Sequence, residues 1–118
     1  TRDMSSFLTL PKVVDFFNNV IKERRNSCSH IIKKVGSELV ELFHTDPIYS
    51  TPKWINQMVS HPLPVSMPKN IKEILWKDFK IEIPIFDWKD QRYIRVSCNV
   101  YNTYDDMDYL LNALRTLV

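Results

Sequence analysis

Arg95 sits in the middle of Tyr93-Ile94-Arg95-Val96-Ser97-Cys98, a run that otherwise reads as a half-buried strand. A guanidinium there is a fixed cation with a planar fork of donors, which suits it to receive a carboxylate or phosphate in bidentate fashion. A short strand sets the direction of that fork better than a loop does. The plain alternative is an arginine on the solvated face of a sheet, where alternation places polar side chains anyway. Other residue types with chemical potential do not assemble by spacing. His30, His44 and His61 have no metal-ligand spacing among themselves or with Cys28 and Cys98, so no metal site is expected. Ser29 and His30 are neighbours in a helical pattern, which points their side chains about 100° apart and rules out a nucleophile–base pair. Lys22, Arg24, Arg25, Lys33 and Lys34 read as a solvated basic face. Trp54, Trp76 and Trp88 read as packing residues, since no strand gathers them into a stacking platform.

Composition narrows the classes further. The chain has 118 residues, 44% hydrophobic and 25% charged, which suits one globular domain spanning 1–118. A net charge of +2 argues no nucleic-acid partner, and no run is long and apolar enough to suggest a membrane span. Gly36 is the only glycine, so the glycine-rich loops that cradle phosphates are absent. Cys28 and Cys98 are far apart and each falls on an apolar stripe; they are expected as reduced core thiols, in keeping with a reducing compartment such as the cytoplasm.

The elements that would position Arg95 follow from periodicity. Leu10, Val14, Phe17 and Ile21 form one helical stripe, and Cys28, Ile32, Val35, Leu39 and Leu42 form a second. Lys22–Ser27 is expected to separate two helices, with Ser27 capping the second. Pro11 lies in a first turn if Thr9 caps the first helix; a start at Ser5 or Ser6 would instead make it a kink. The second helix should stop near His44, before Asp46-Pro47. Residues 47–68 hold five of the seven prolines and read as a connection, with a short strand near Met58-Val59. Ile71, Ile74 and Leu75 mark a short helix with Asn70 as its cap.

The period then becomes two. Ile81, Ile83 and Ile85 share one face, and Pro84, which donates no hydrogen bond, predicts a strand that lies at an edge or turns that position outward. Asp87–Asp90 is a hairpin loop, and the returning strand Arg92–Cys98 puts Ile94, Val96 and Cys98 inward. Tyr93, Arg95 and Ser97 then face outward. Thr103 and Asp106 form a capping box for a last helix with stripe Met107, Leu110, Leu111, Leu114 and Val118. The expected architecture is α+β: a small antiparallel sheet of about three strands, covered on one face by helices.

The segment IEIPIFDWKDQRYIRVSCNVYNTYDDMDYLLNAL resembles the carboxyl-terminal end of the class V aminotransferases, fold-type-I enzymes that use pyridoxal phosphate. It is most similar to their isopenicillin N epimerase-like and cysteine desulfhydrase-like branch. Thr1-Arg2-Asp3, with Ser5, Phe7-Leu8 and Pro11 behind it, independently resembles that family's Gly-Thr-Arg-Asp segment. The resemblance implies the small carboxyl-terminal domain of a larger, homodimeric enzyme acting on an amino acid by desulfuration, elimination, epimerisation or transamination. It implies that Arg95 holds the substrate α-carboxylate and that Thr1 reaches the cofactor phosphate, commonly in the neighbouring subunit. It also implies a turn role for Tyr101 and Asn102. Two departures stand out: Lys89-Asp90 replaces a turn that often contains glycine, and no His-Lys pair supplies the family's Schiff-base lysine. No catalytic residue is therefore expected in this chain, and the isolated domain is expected to hold no cofactor and to self-associate through exposed apolar surface. The contrasting expectation is a stand-alone α+β interaction or regulatory domain without catalysis.

Overall fold

A computed structural model describes residues 3–118. Its first helix, α1, runs over Ser5–Phe16, and Asp3 opens it by accepting hydrogen bonds from the Ser5 amide (2.9 Å) and hydroxyl (2.8 Å). These bonds favour the ionised carboxylate and hold the Asp3 pKa below its usual value. Thr9 is inside the helix, its hydroxyl donating to the Ser6 carbonyl, and Pro11 is an interior residue.

The expected break at Lys22–Ser27 does not occur. A π-helical turn over Phe17–Ile21 joins α1 directly to α2, Lys22–Phe43, so Ser27 is a helix-interior residue and caps nothing. Lys, Glu and Arg are good helix formers, and nothing between residues 12 and 35 interrupts the backbone. A π-turn carries an extra residue per turn, which rotates the first apolar stripe out of line with the second. The stripe of α2 is buried through Cys28, Ile31, Ile32, Val35, Leu39 and Phe43, whereas α1 buries no residue at all. α2 ends where His44 adopts a left-handed conformation, φ 51°.

Three strands form one antiparallel sheet in the order β1-β3-β2: β1 Met58–Pro62, β2 Ile85–Trp88 and β3 Gln91–Ser97. Ile81–Pro84 precedes β2 as extended chain outside the ladder, although the Pro84 carbonyl still accepts from the Arg95 amide at 3.0 Å. β2 is an edge strand, as expected, although Pro84 itself stands just outside it. The turn is tighter than expected, because Asp87 and Trp88 belong to β2 and only Lys89-Asp90 reverse the chain. Both have positive φ, 48° and 62°, the pattern of a type I′ hairpin achieved without glycine.

The short helix α3, Ile71–Phe79, begins at Asn70, whose side chain makes no cap; its carbonyl accepts from Glu73 and Ile74 instead. The last helix, α4, Tyr104–Arg115, has the full Thr103–Asp106 capping box.

The core lies between the sheet's inner face and the helices. Val59, Ile94, Val96 and Cys98 meet Ile32, Val35 and Leu39 of α2, Ile71 and Leu75 of α3, and Leu110, Leu111 and Leu114 of α4. Gly36 allows the close approach of α2 to the chain after it. A Cβ there would meet the Tyr49 hydroxyl at 3.1 Å and Val59 at 3.5 Å. Cys28 and Cys98 are both free and buried, as expected.

Candidate functional site

β3 presents Tyr93, Arg95 and Ser97 on the sheet face turned away from the core, because successive strand residues alternate. The register sets Ser60 opposite Arg95 and Met58 opposite Ser97, while Phe86 and Pro62 flank Tyr93. Tyr93 departs from the half-solvated face expected of it. It is buried, its ring 5.8 Å from that of Phe86 and 5.9 Å from that of Trp88.

Arg95 is exposed and borders a cavity of about 380 Å³ between the Lys80–Pro84 segment, β3 and α4. Glu82, Ser97, Asn102, Asp106 and Tyr109 share its lining. Several of these polar groups are already engaged. Asp106 Oδ2 accepts from the Thr103 amide at 2.8 Å, Lys80 Nζ donates to the Lys77 carbonyl, and the Tyr109 hydroxyl donates to the Phe79 carbonyl. Among the described residues, no carboxylate lies within ion-pair distance of the Arg95 guanidinium and no acceptor engages it. A free guanidinium on a rigid strand, beside a cavity of small-ligand size, can take an anionic group without first breaking an internal contact.

Asn102 ties the turn before α4, its Oδ1 accepting from the Asn99 amide at 2.9 Å, while Tyr101 is exposed. Thr1 and Arg2 lie outside the described residues. No metal-binding group of His, Cys, Asp or Glu occurs among the described residues, and His30 and His44 are exposed on separate parts of the surface. No described helix is long and apolar enough to cross a membrane. The tryptophans are less buried than packing residues should be: Trp54 is 78% exposed at an apolar groove, and Trp76 and Trp88 are half exposed.

Two residues have defined roles that sequence reasoning did not assign. Arg92 shares the strand parity of Ile94 and Val96, so it turns toward the helices. Its guanidinium donates to the Pro68 carbonyl at 2.7 Å and the Met67 carbonyl at 2.6 Å, fastening that loop to the hairpin. Parity alone marked it as an inward charge in need of partners. His61 is fully buried on the inner face of β1. The Thr45 hydroxyl lies 2.9 Å from His61 Nε2 and donates to the Pro62 carbonyl at 3.2 Å, so Nε2–H donates to Thr45 and Nδ1 is left without a partner. Burial lowers the His61 pKa to about 4, which keeps the ring neutral.

Nothing among the described residues builds a pyridoxal-phosphate site. Every lysine is exposed, with none desolvated toward a cavity floor, and no glycine-rich turn offers its amides to a phosphate.

No family model matches the chain. Its sequence is 27% identical over 122 residues to isopenicillin N epimerase of Amycolatopsis lactamdurans, covering 99% of the chain and 30% of that protein. A putative L-cysteine desulfhydrase of Oryza sativa subsp. japonica is 28% identical over 144 residues, covering 100% of the chain and 30% of that protein. The chain resembles the epimerase and desulfhydrase branch of the class V aminotransferases along its whole length. It spans about a third of the length of these relatives. Its fold is that of part of 8-amino-7-oxononanoate synthase from Francisella tularensis, with a TM-score of 0.64 and 18% identity over 87% of the chain and 29% of that structure.

Proposed function

We propose that this chain is the carboxyl-terminal small domain of a larger pyridoxal-phosphate-dependent enzyme that acts on an amino acid, and that Arg95 is its α-carboxylate clamp. The observation that carries this reading is the Arg95 guanidinium, unpaired among the described residues and bordering a cavity of about 380 Å³. The whole-length similarity to an epimerase and a desulfhydrase supports it.

The cofactor, where bound, supplies the electron sink for breaking a bond at the substrate's α-carbon; apart from Thr1, the residues that hold it belong to the rest of the longer polypeptide. The share of this chain is to bind and orient. Two parallel N–H···O bonds from Arg95 fix both the position and the plane of a carboxylate, which limits rotation of the α-carbon to which it is attached. β3 holds the arginine's backbone between β1 and the Pro84 carbonyl, so only the side chain has to be ordered on binding. Thr1 is assigned to the cofactor phosphate, across a homodimer interface, in a cytoplasmic enzyme.

The test is Arg95→Lys in the full-length polypeptide. Lysine keeps the charge and loses the fork, so KM for the amino acid should rise by about 30- to 150-fold, corresponding to roughly 2–3 kcal/mol. A lysine variant with unchanged KM would remove Arg95 from the substrate site.

A further inference from the structure

The Cys98 amide donates to the Gln57 carbonyl and the Leu63 amide to the Arg92 carbonyl, each at 2.8 Å, which makes the odd-numbered residues of β1 the hydrogen-bonded partners of β3. Met58–Ser97 and Ser60–Arg95 are therefore the intervening pairs, in which facing side chains stand closest, with Cα atoms about 4.5 Å apart. Both pairs point to the sheet face turned away from the core, and each has one member in either of two cavities. Arg95 and Ser97 line the cavity of about 380 Å³ already described. Ser60 and Met58 line a groove of about 430 Å³ along the free edge of β1. The two meet across a single strand spacing, about 4.8 Å. Their chemistry differs. Lys80, Glu82, Arg95 and Asp106 charge the first, whereas the groove has no charged residue in its lining among the described residues. Ile48, Trp54 and Met58 are each at least half exposed there, so its apolar surface is open to a ligand.

We propose that the groove beside β1 is the side-chain subsite of the Arg95 site, and that it selects amino acids with a long apolar side chain, aliphatic or aromatic. The inference rests on the reading of Arg95 as the carboxylate clamp and adds to it which amino acids are held. With the carboxylate on Arg95, the substrate lies over the Ser60–Arg95 pair, and its side chain has one strand to cross. A chain of four or more heavy atoms spans that spacing and reaches Met58 and Trp54, whereas a methyl or hydroxymethyl group stops short of them. Burial of methylene groups against Ile48, Trp54 and Met58 supplies the preference. A charged side chain is rejected, because the groove offers it no partner and strips its water. Ser60 stands at the threshold: its small side chain, directly opposite Arg95, leaves the passage between the two cavities open. A larger residue at that position would close it.

The experiment measures the apparent Kd of L-alanine, L-norleucine and L-glutamate for the full-length polypeptide by equilibrium dialysis. L-Norleucine should bind about 10-fold or more tightly than L-alanine, its three further methylenes entering the groove, and L-glutamate should bind no better than L-alanine. In the double variant Trp54→Ala with Met58→Ala, the norleucine-to-alanine ratio should fall to about 3-fold or below. Ser60→Phe should lower the same ratio without touching the groove's apolar wall. Both readouts are ratios, so a misfolded fraction, which weakens the binding of both amino acids alike, does not imitate the result. Arg95→Lys separates the two readings. If it weakens L-alanine and L-norleucine together while the ratio is near one in the parent, or is unmoved by the Trp54 and Met58 substitutions, the clamp stands and the subsite is overturned. If Arg95→Lys leaves both affinities unchanged, both readings fall. Tighter binding of L-glutamate than of L-norleucine would also overturn the subsite.

Discussion

At the residue scale, Lys89 and Asp90 turn the hairpin in left-handed conformations that side chains resist. The Lys89 ammonium sits 4.6 Å from the Trp88 ring centre, a contact that offsets part of that cost. Asp90→Gly keeps the contact and relieves the strain, so it should stabilise the chain by about 1 kcal/mol, read as a higher urea midpoint at unchanged slope. His61 makes a second claim at this scale. Its pKa is near 6.5 when unfolded and about 4 when buried, so between these values the unfolded chain binds a proton that the folded chain does not. The stability His61 permits is complete above pH 6.5 and is lost as pH falls toward 4, roughly 3 kcal/mol in all. Urea unfolding at pH 7 and pH 5 should show the loss, and His61→Leu should remove most of the difference. If the leucine variant kept the full slope, another group would be responsible.

At the element scale, α1 is the exception to a chain that otherwise buries its apolar stripes. Leu10 and Val14 are 51% and 53% exposed, and they lie on one helix face with Phe7, also exposed. Such a face seeks cover, and the rest of the longer polypeptide is the proposed cover in the intact enzyme. In the isolated chain, Leu10→Glu with Val14→Glu should lower the association measured by sedimentation while leaving the urea midpoint unchanged, since neither residue is buried. A drop in stability would show that α1 folds back onto the body. The elements with strong local signals were legible in sequence: the α2 and α4 stripes, the Thr103–Asp106 cap, the edge position of the strand after Pro84, and the inward Ile94-Val96-Cys98 face. The π-turn was not, because Phe17–Ile21 has a composition that an α-helix would accept equally. The burial of Tyr93 was not legible either, since it depends on which strand pairs with β3 and in what register. The position of Arg95 was readable from alternation, whereas its cavity arises from the Lys80–Pro84 segment and α4 converging in space.

At the scale of the whole molecule, the chain is a scaffold with one face finished and another open. The helices cover the inner side of the sheet, and the outer side offers Ser60, Arg95 and Ser97 to whatever lies opposite. The long helix extends the molecule to 50 Å in its longest dimension against 29 Å in its shortest, with α1 contributing no buried residue. A stand-alone interaction domain would use the same exposed helix, but it would not need a guanidinium held beside a cavity without an ion-pair partner among the described residues. Carboxylate recognition is therefore the property that separates the two accounts. The most direct measurement compares, in the full-length polypeptide, the binding of the substrate amino acid with that of the corresponding amine lacking its carboxylate, before and after Arg95→Ala. The account predicts that the parent prefers the amino acid by about 30-fold or more and that the variant loses most of that preference. Equal preference in parent and variant would contradict it.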